Sequence, residues 1–224
     1  NWTNNDNWLS DKPLNEWYGL TLTEDGYVKS IDLADNNLTG EFNLNALKKL
    51  QSINISNNAL ESINITTHTI NSIELINCIV DYGSTSIYGP KLVTIKDNSE
   101  IGSLNIECET LIVDNCNFGE TSTPFSSVNA TSVLITNSTM YNCGLNNDYL
   151  TFENSKTTNT WYCNTNIQAK LINSYCSVIC SWDFSESATI IVSNTTLFQP
   201  EWNENKTGKY SFTTNSDGWA KMFE

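Results

Sequence analysis

The sequence predicts a mainly β solenoid of about nine short parallel strands with few or short helices. Three observations carry this. An apolar–any–apolar triplet recurs at a period close to 20 residues, starting at Ile31, Ile53, Ile73, Val93, Leu111, Val133, Leu150, Ala169 and Ile190. Each triplet is followed within a few residues by a small hydrogen-bonding side chain: Asn36, Asn58, Cys78, Asn98, Cys116, Ser138, Ser155, Ser174 and Thr195. The segments between the later triplets are rich in Asn, Ser, Thr and Gly and show no amphipathic helix period.

Each part of the chain has its own reading. Residues 1–27 hold three Trp, at positions 2, 8 and 17, with Pro13 and Gly19 as punctuation. They read as an N-terminal cap, because the first unit of a stacked array needs an atypical covering. A sugar-stacking Trp site is the alternative. In residues 28–197 the two apolar positions of each triplet alternate across a short strand and point into the core. The small polar residue then turns inward and satisfies backbone groups at the turn, because buried donors and acceptors must be paired. Cys78 and Cys116 read as buried thiols of this row; a reactive or metal-binding pair is the alternative. Phe42 to Leu50 has helical spacing and predicts one short helical turn. Later returns, such as Asp81–Lys91 and Cys143–Asp148, are expected to be irregular or extended, giving a β-helix-like C-terminal half. Residues 198–224 break the period. Lys209–Thr214 and Gly218–Phe223 flank Asn-Ser-Asp-Gly, a hairpin signal, so this stretch reads as a C-terminal cap, with a small binding module as the alternative.

Two copies of the unit are sharper than the rest. Ile31, Leu33, Asn36 and Leu38 match Ile53, Ile55, Asn58 and Leu60, and Leu47 and Leu50 lead into the second copy. The string L-x-x-L-x-x-I-x-I-x-x-N-x-L resembles a leucine-rich repeat. Trp8-Leu9-Ser10, Pro13 and Trp17-Tyr18-Gly19-Leu20-Thr21 are similar to the N-terminal cap of plant-type and bacterial members of that family. The plant version carries a Cys pair here, and this chain has no Cys before Cys78. The resemblance implies a right-handed superhelix, a bacterial member, and a non-enzymatic, adhesin-like role for a secreted or surface-anchored protein.

Composition narrows the partners. Eleven basic residues, all Lys, face 25 acidic ones, for a net charge of −14. Nucleic acid is excluded, because its binding rests on a basic surface. The charge fits a soluble secreted or surface-displayed protein, with weak Ca²⁺ binding as an alternative. Seven Cys lie between positions 78 and 180 without a C-x-x-C pair, and His68 is the single histidine. No structural zinc site and no cofactor are expected. No apolar run approaches the ~18 residues of a membrane span. No leader is in view at Asn1, so a removed leader or an upstream segment is expected. Sequons such as Asn37-Leu-Thr, Asn137-Ser-Thr and Asn194-Thr-Thr would carry glycans only on a eukaryotic secretory route.

A protein partner is expected on the strand face that points away from the core. Its central column reads Asp32, Asn54, Glu74, Thr94, Ile112, Leu134, Thr151, Lys170 and Ile191, and the next reads Ala34, Ser56, Ile76, Lys96, Asp114, Thr136, Glu153, Ile172 and Ser193. The apolar stripe Ile112, Leu134, Ile172 and Ile191 is either covered core or a surface for a partner or for self-association. Trp161, Tyr162, Tyr175, Trp182 and Phe184 are either core filling or a glycan-stacking group; carbohydrate binding through Trp161, Tyr162 and Trp182 is the alternative function. An enzyme is not expected. The acids are scattered, and Asp32 and Glu74 lie two repeats apart, roughly 10 Å at the strand spacing, beyond most glycosidase pairs.

Overall fold

A computed structural model describes residues 2–45, 47–67, 70–118, 126–163, 167–180, 189–197 and 209–212. The chain is a β solenoid: the described residues are almost all strand, and among them the one helical element is a 3-10 turn at Leu14–Glu16. Three ladders of parallel strands run along it, here named front, side and back.

The recurring triplets form the front ladder. Ile31 pairs with Ile53, Ile53 with Ile73, Ile73 with Val93, and Val93 with Leu111. The same row continues through Val133, Leu150, Ala169 and Ile190 to Tyr210. Both apolar positions of each triplet are buried from Ile31 through Leu171, as period-2 alternation with one face to the core requires. Lys209–Phe212 pairs in parallel with Thr189–Ser193 and so extends this ladder. The proposed hairpin partner, 218–223, lies outside the described residues.

The side ladder is short. Leu60, Val80, Ile101, Phe118 and Met140 follow one another in register, each two residues past a corner and each buried. The returns between the triplets are extended and regular, and form the back ladder. Glu41–Asn45 pairs with Ser62–Thr66, which pairs with residues 85–88 of Ile79–Tyr88. Residues 103–107, 126–130 and 143–147 continue it. The short helical turn expected over Phe42 to Leu50 is strand as far as Asn45, with a single turn at Lys48–Lys49 where Leu50 N–H bonds the Leu47 carbonyl. Phe42 and Leu44 pair with Ile63 and Ile65, and pairing along the array overrides the local helical spacing. The back ladder is present from the first coil, so both halves of the chain are built alike.

The corner after each front strand combines two rows of side chains. The inner row is a relay. Ser155 Oγ donates to the Glu153 carbonyl of its own coil at 2.7 Å and accepts the Ser138 N–H of the preceding coil at 3.0 Å. Ser138, Ser174 and Thr195 repeat this arrangement. Asn58 does the same with an amide, accepting from Leu38 N and donating to the carbonyls of Leu33 and Ile55. Cys78 and Cys116 occupy the same row, their thiols donating to the carbonyls of Ile55 and Asp114. One position differs from the sequence reading. Asn98 is exposed with φ 64°, and the inner position belongs to the buried Ser99, which accepts from Cys78 N at 3.0 Å. That corner has one extra residue, with Asp97 also at positive φ.

The outer row lies one residue earlier. Asp35, Asn57, Asn77, Asn98, Asn115, Asn137, Asn154, Asn173 and Asn194 all have positive φ. Asn and Asp are the side chains that tolerate this left-handed region best after glycine. Several bond along the row, as Asn77 Nδ2 does to Asn57 Oδ1 at 2.9 Å and Asn194 Nδ2 to Asn173 Oδ1 at 2.9 Å.

At the N-terminal end, Leu20–Leu22 pairs antiparallel with Val28–Asp32. Trp8 packs against the core, meets Trp2 edge-on at 4.9 Å and Trp17 at a tilt at 5.2 Å, and donates its indole N–H to the Tyr18 carbonyl. Gly19 sits at φ +73°, where an added Cβ would lie 2.1 Å from the Asp32 carbonyl oxygen.

Candidate functional site

Strand pairing fixes the outer face of the front sheet. Asp32, Asn54, Glu74, Thr94, Ile112, Leu134, Thr151, Lys170 and Ile191 are successive cross-strand neighbours in one row. Asp32, Glu74 and Lys170 are exposed; the other six are half-buried, each shielded by the strands beside it. Ile172 in the next column is also half-buried. The apolar stripe is thus neither sealed core nor fully open. Such side chains can add contact area when a partner lands on them.

A shallow groove of about 400 Å³ opens on this face. Leu134, Thr151, Lys170 and Ile191 form its floor, and Ser132, Tyr149 and Gln168 form one bank. Tyr149 is 57% exposed and pairs directly with Ser132 on one side and Gln168 on the other. These three belong to a third outward column, two residues before the central one. Period-2 alternation places them on the same face, and that is the signal by which the sequence could have revealed them.

The edge of the face near Asp114 is electrostatically organised. Asp114 Oδ1 accepts from Thr136 Oγ1 at 2.6 Å and from Asn137 Nδ2 at 2.8 Å. These two bonds, with help from Lys96, hold its carboxyl below the usual range. A charge fixed in this way supplies a defined acceptor.

The other candidate residues do not join this site. Ser56 of the second column is buried, its Oγ accepting from Ile76 N. Trp161 and Tyr162 lie in Lys156–Cys163, paired with Cys143 and Gly144 of the back ladder. Trp182 and Phe184 lie outside the described residues. Tyr175 is exposed on the side ladder, with Lys156 Nζ 5.8 Å from its ring centre. Burial pushes the Cys78 and Cys116 thiols up to about 11, which suppresses the thiolate a nucleophile or metal ligand requires. Among the described residues no three His, Cys, Asp or Glu side chains converge where a metal ion would sit. Among the same residues no helix is long and apolar enough to cross a membrane. No protein-family model, curated protein or solved structure matches this chain.

Proposed function

We propose that this is a secreted or surface-displayed, non-enzymatic protein of the leucine-rich-repeat type, adhesin-like, that binds a protein partner on the outer face of its front sheet. A nine-unit repeat and a bacterial-type N-terminal cap belong to the same reading. One observation carries it. On a chain of net charge −14, the row from Thr94 through Ile112, Leu134, Thr151 and Lys170 to Ile191 holds no acid, and its members Leu134, Thr151, Lys170 and Ile191 line a groove. Half-buried Leu134 and Ile191 among polar side chains have the mixed anatomy of a protein-docking patch.

Surface plasmon resonance tests it, with wild-type and Leu134→Asp protein passed over immobilised fibronectin, laminin and collagen and over a printed glycan array. The expected result is binding to a protein surface that weakens about tenfold or more in Leu134→Asp, because a carboxylate is then buried without a partner. Binding that is equal in the two proteins would sink this reading.

A second reading, carbohydrate binding, draws support from Tyr149. An exposed ring beside Ser132 and Gln168, near Thr151 and Lys170, offers a stacking platform next to hydrogen-bonding groups. Binding confined to the glycan array and lost in Tyr149→Ala would select it.

A further inference from the structure

The back ladder starts abruptly. Among the described residues the only strand partner of Glu41–Asn45 is Ser62–Thr66, on the side of the second coil. The N-terminal segment covers other parts of the first coil. Leu20–Leu22 pairs with Val28–Asp32, Thr3 N bonds the Asn36 carbonyl, and Asn4 exchanges bonds with the Asn36 amide. Among the described residues no main-chain bond runs from that segment to residues 41–45. The Gly40 carbonyl accepts from Glu61 N at 2.7 Å. Main-chain groups alternate in direction along a strand, so Phe42 and Leu44 also turn theirs toward the second coil. The N–H and C=O of Glu41, Asn43 and Asn45 then point out of the edge.

We propose that this edge is a homodimer interface, with two copies pairing antiparallel through Glu41–Asn45 about a two-fold axis at Asn43. An unpaired edge is a template for strand addition, and residues 41–45 carry neither Pro nor Lys to block it. The sequence is self-complementary in this register. Asn43 faces Asn43 of the second copy, and Glu41 faces Asn45 of the second copy, so acid never meets acid. The residues that face each other are those whose main-chain groups point outward, giving about six new hydrogen bonds. Phe42 and Leu44, half-buried against the end of the core, meet their counterparts and extend the core across the axis. The same end of the chain exposes apolar side chains, with Trp2 at 38%, Leu9 at 94% and Leu14 at 39%. Two copies each carrying −14 repel at long range, so salt should strengthen the dimer.

Light scattering on eluting protein, loaded on the order of 100 µM, reads the mass at low and high salt. Expected is a species of 50.2 kDa (2 × 25.1 kDa) that grows with salt. Asn43→Pro should return it to 25.1 kDa with an unchanged circular-dichroism spectrum, because proline is tolerated on an edge where the lost N–H faces outward. A 25.1 kDa wild type at every salt overturns the proposal, and so does an Asn43→Pro protein that stays dimeric. If that variant fails to fold, Asn43→Cys decides. Opposed residues of a hydrogen-bonded antiparallel pair lie about 5.5 Å apart at Cα, within disulfide range. Oxidation should then give a covalent dimer, and its absence overturns the proposal.

Discussion

Removing the hydroxyl of Ser155 tests the corner relay directly. In Ser155→Ala the methyl group keeps most of the packing, and two bonds are lost. The buried Ser138 N–H loses the acceptor it reaches at 3.0 Å, at a position only 5% exposed. An orphaned buried donor costs about 1–3 kcal/mol. The Glu153 carbonyl loses a donor at 2.7 Å, worth about 1 kcal/mol in a partly wet site. The expected loss is therefore about 2–4 kcal/mol. Ser155→Cys should cost less, because Cys78 and Cys116 already fill this position with Sγ donating to a carbonyl. Thr131, exposed on the strand that precedes the corner, supplies the control: Thr131→Ala should stay within about 0.5 kcal/mol. The assay is urea unfolding followed by circular dichroism, with a check that the slope on urea is common to all variants. A Ser155→Ala protein as stable as the control would refute the relay as a source of stability.

Three further outcomes follow from the same coordinates. Gly19→Ala forces a Cβ to within 2.1 Å of the Asp32 carbonyl at φ +73°; it should cost at least about 2 kcal/mol and loosen the N-terminal segment first, visible as a separate early change in Trp fluorescence. Thr85→Val should raise the urea midpoint, with a gain of about 1 kcal/mol, because Thr85 Oγ1 is buried without a partner and an isosteric methyl removes that penalty. The buried thiols make stability fall at alkaline pH. Unfolded thiols ionise from about 9, whereas Cys78 and Cys116 keep their protons to about 11 because burial disfavours the thiolate. The folded state thus binds more protons between these values, and each thiol removes about 1.4 kcal/mol per pH unit as pH rises through that window. Cys78→Ser, which keeps a hydroxyl in the row, should flatten the decline by about that slope in urea midpoints measured at pH 8.5 to 10.5.

Periodicity made the front sheet legible in the sequence, because its triplets put two apolar residues, mostly branched aliphatic ones, in every coil. The central outward row, Asp32 to Ile191, followed from the same register. The corner row was nearly as clear, and it failed at Asn98 for a definite reason. Counting from the second apolar residue, the inner position is three residues on at Asn58, Cys78 and Cys116 but four on at Ser99. A fixed-period reading slips by one across such an insertion. The back sheet was missed because its inward positions are sparse. Phe42 and Leu44 alternate with Glu41, Asn43 and Asn45, Ile63 and Ile65 with Ser62, Asn64 and Thr66, and Leu104 and Ile106 with Asn105 and Glu107, and this polar content imitates loop composition. Tyr149 escaped because it precedes its triplet and sits in a polar stretch, Asn146-Asn147-Asp148. The partner itself leaves no local pattern, since it is encoded in a surface and not in a period.

The relay at the corners also gives the solenoid a direction. Each inner hydroxyl accepts from the coil before it, while its own N–H donates to the coil after it. At the corner, every such seam therefore matches a hydroxyl acceptor on the later coil with an N–H donor on the earlier one. Cutting at one seam and rejoining at another keeps this corner bond, provided that Ser, Thr, Cys or Asn stands at the joint. Whole coils are thus interchangeable cassettes, which can be duplicated or deleted in frame. The chain can lengthen or shorten its outer face by about 20 residues at a time without redesigning any interior contact beyond the two at the new joint.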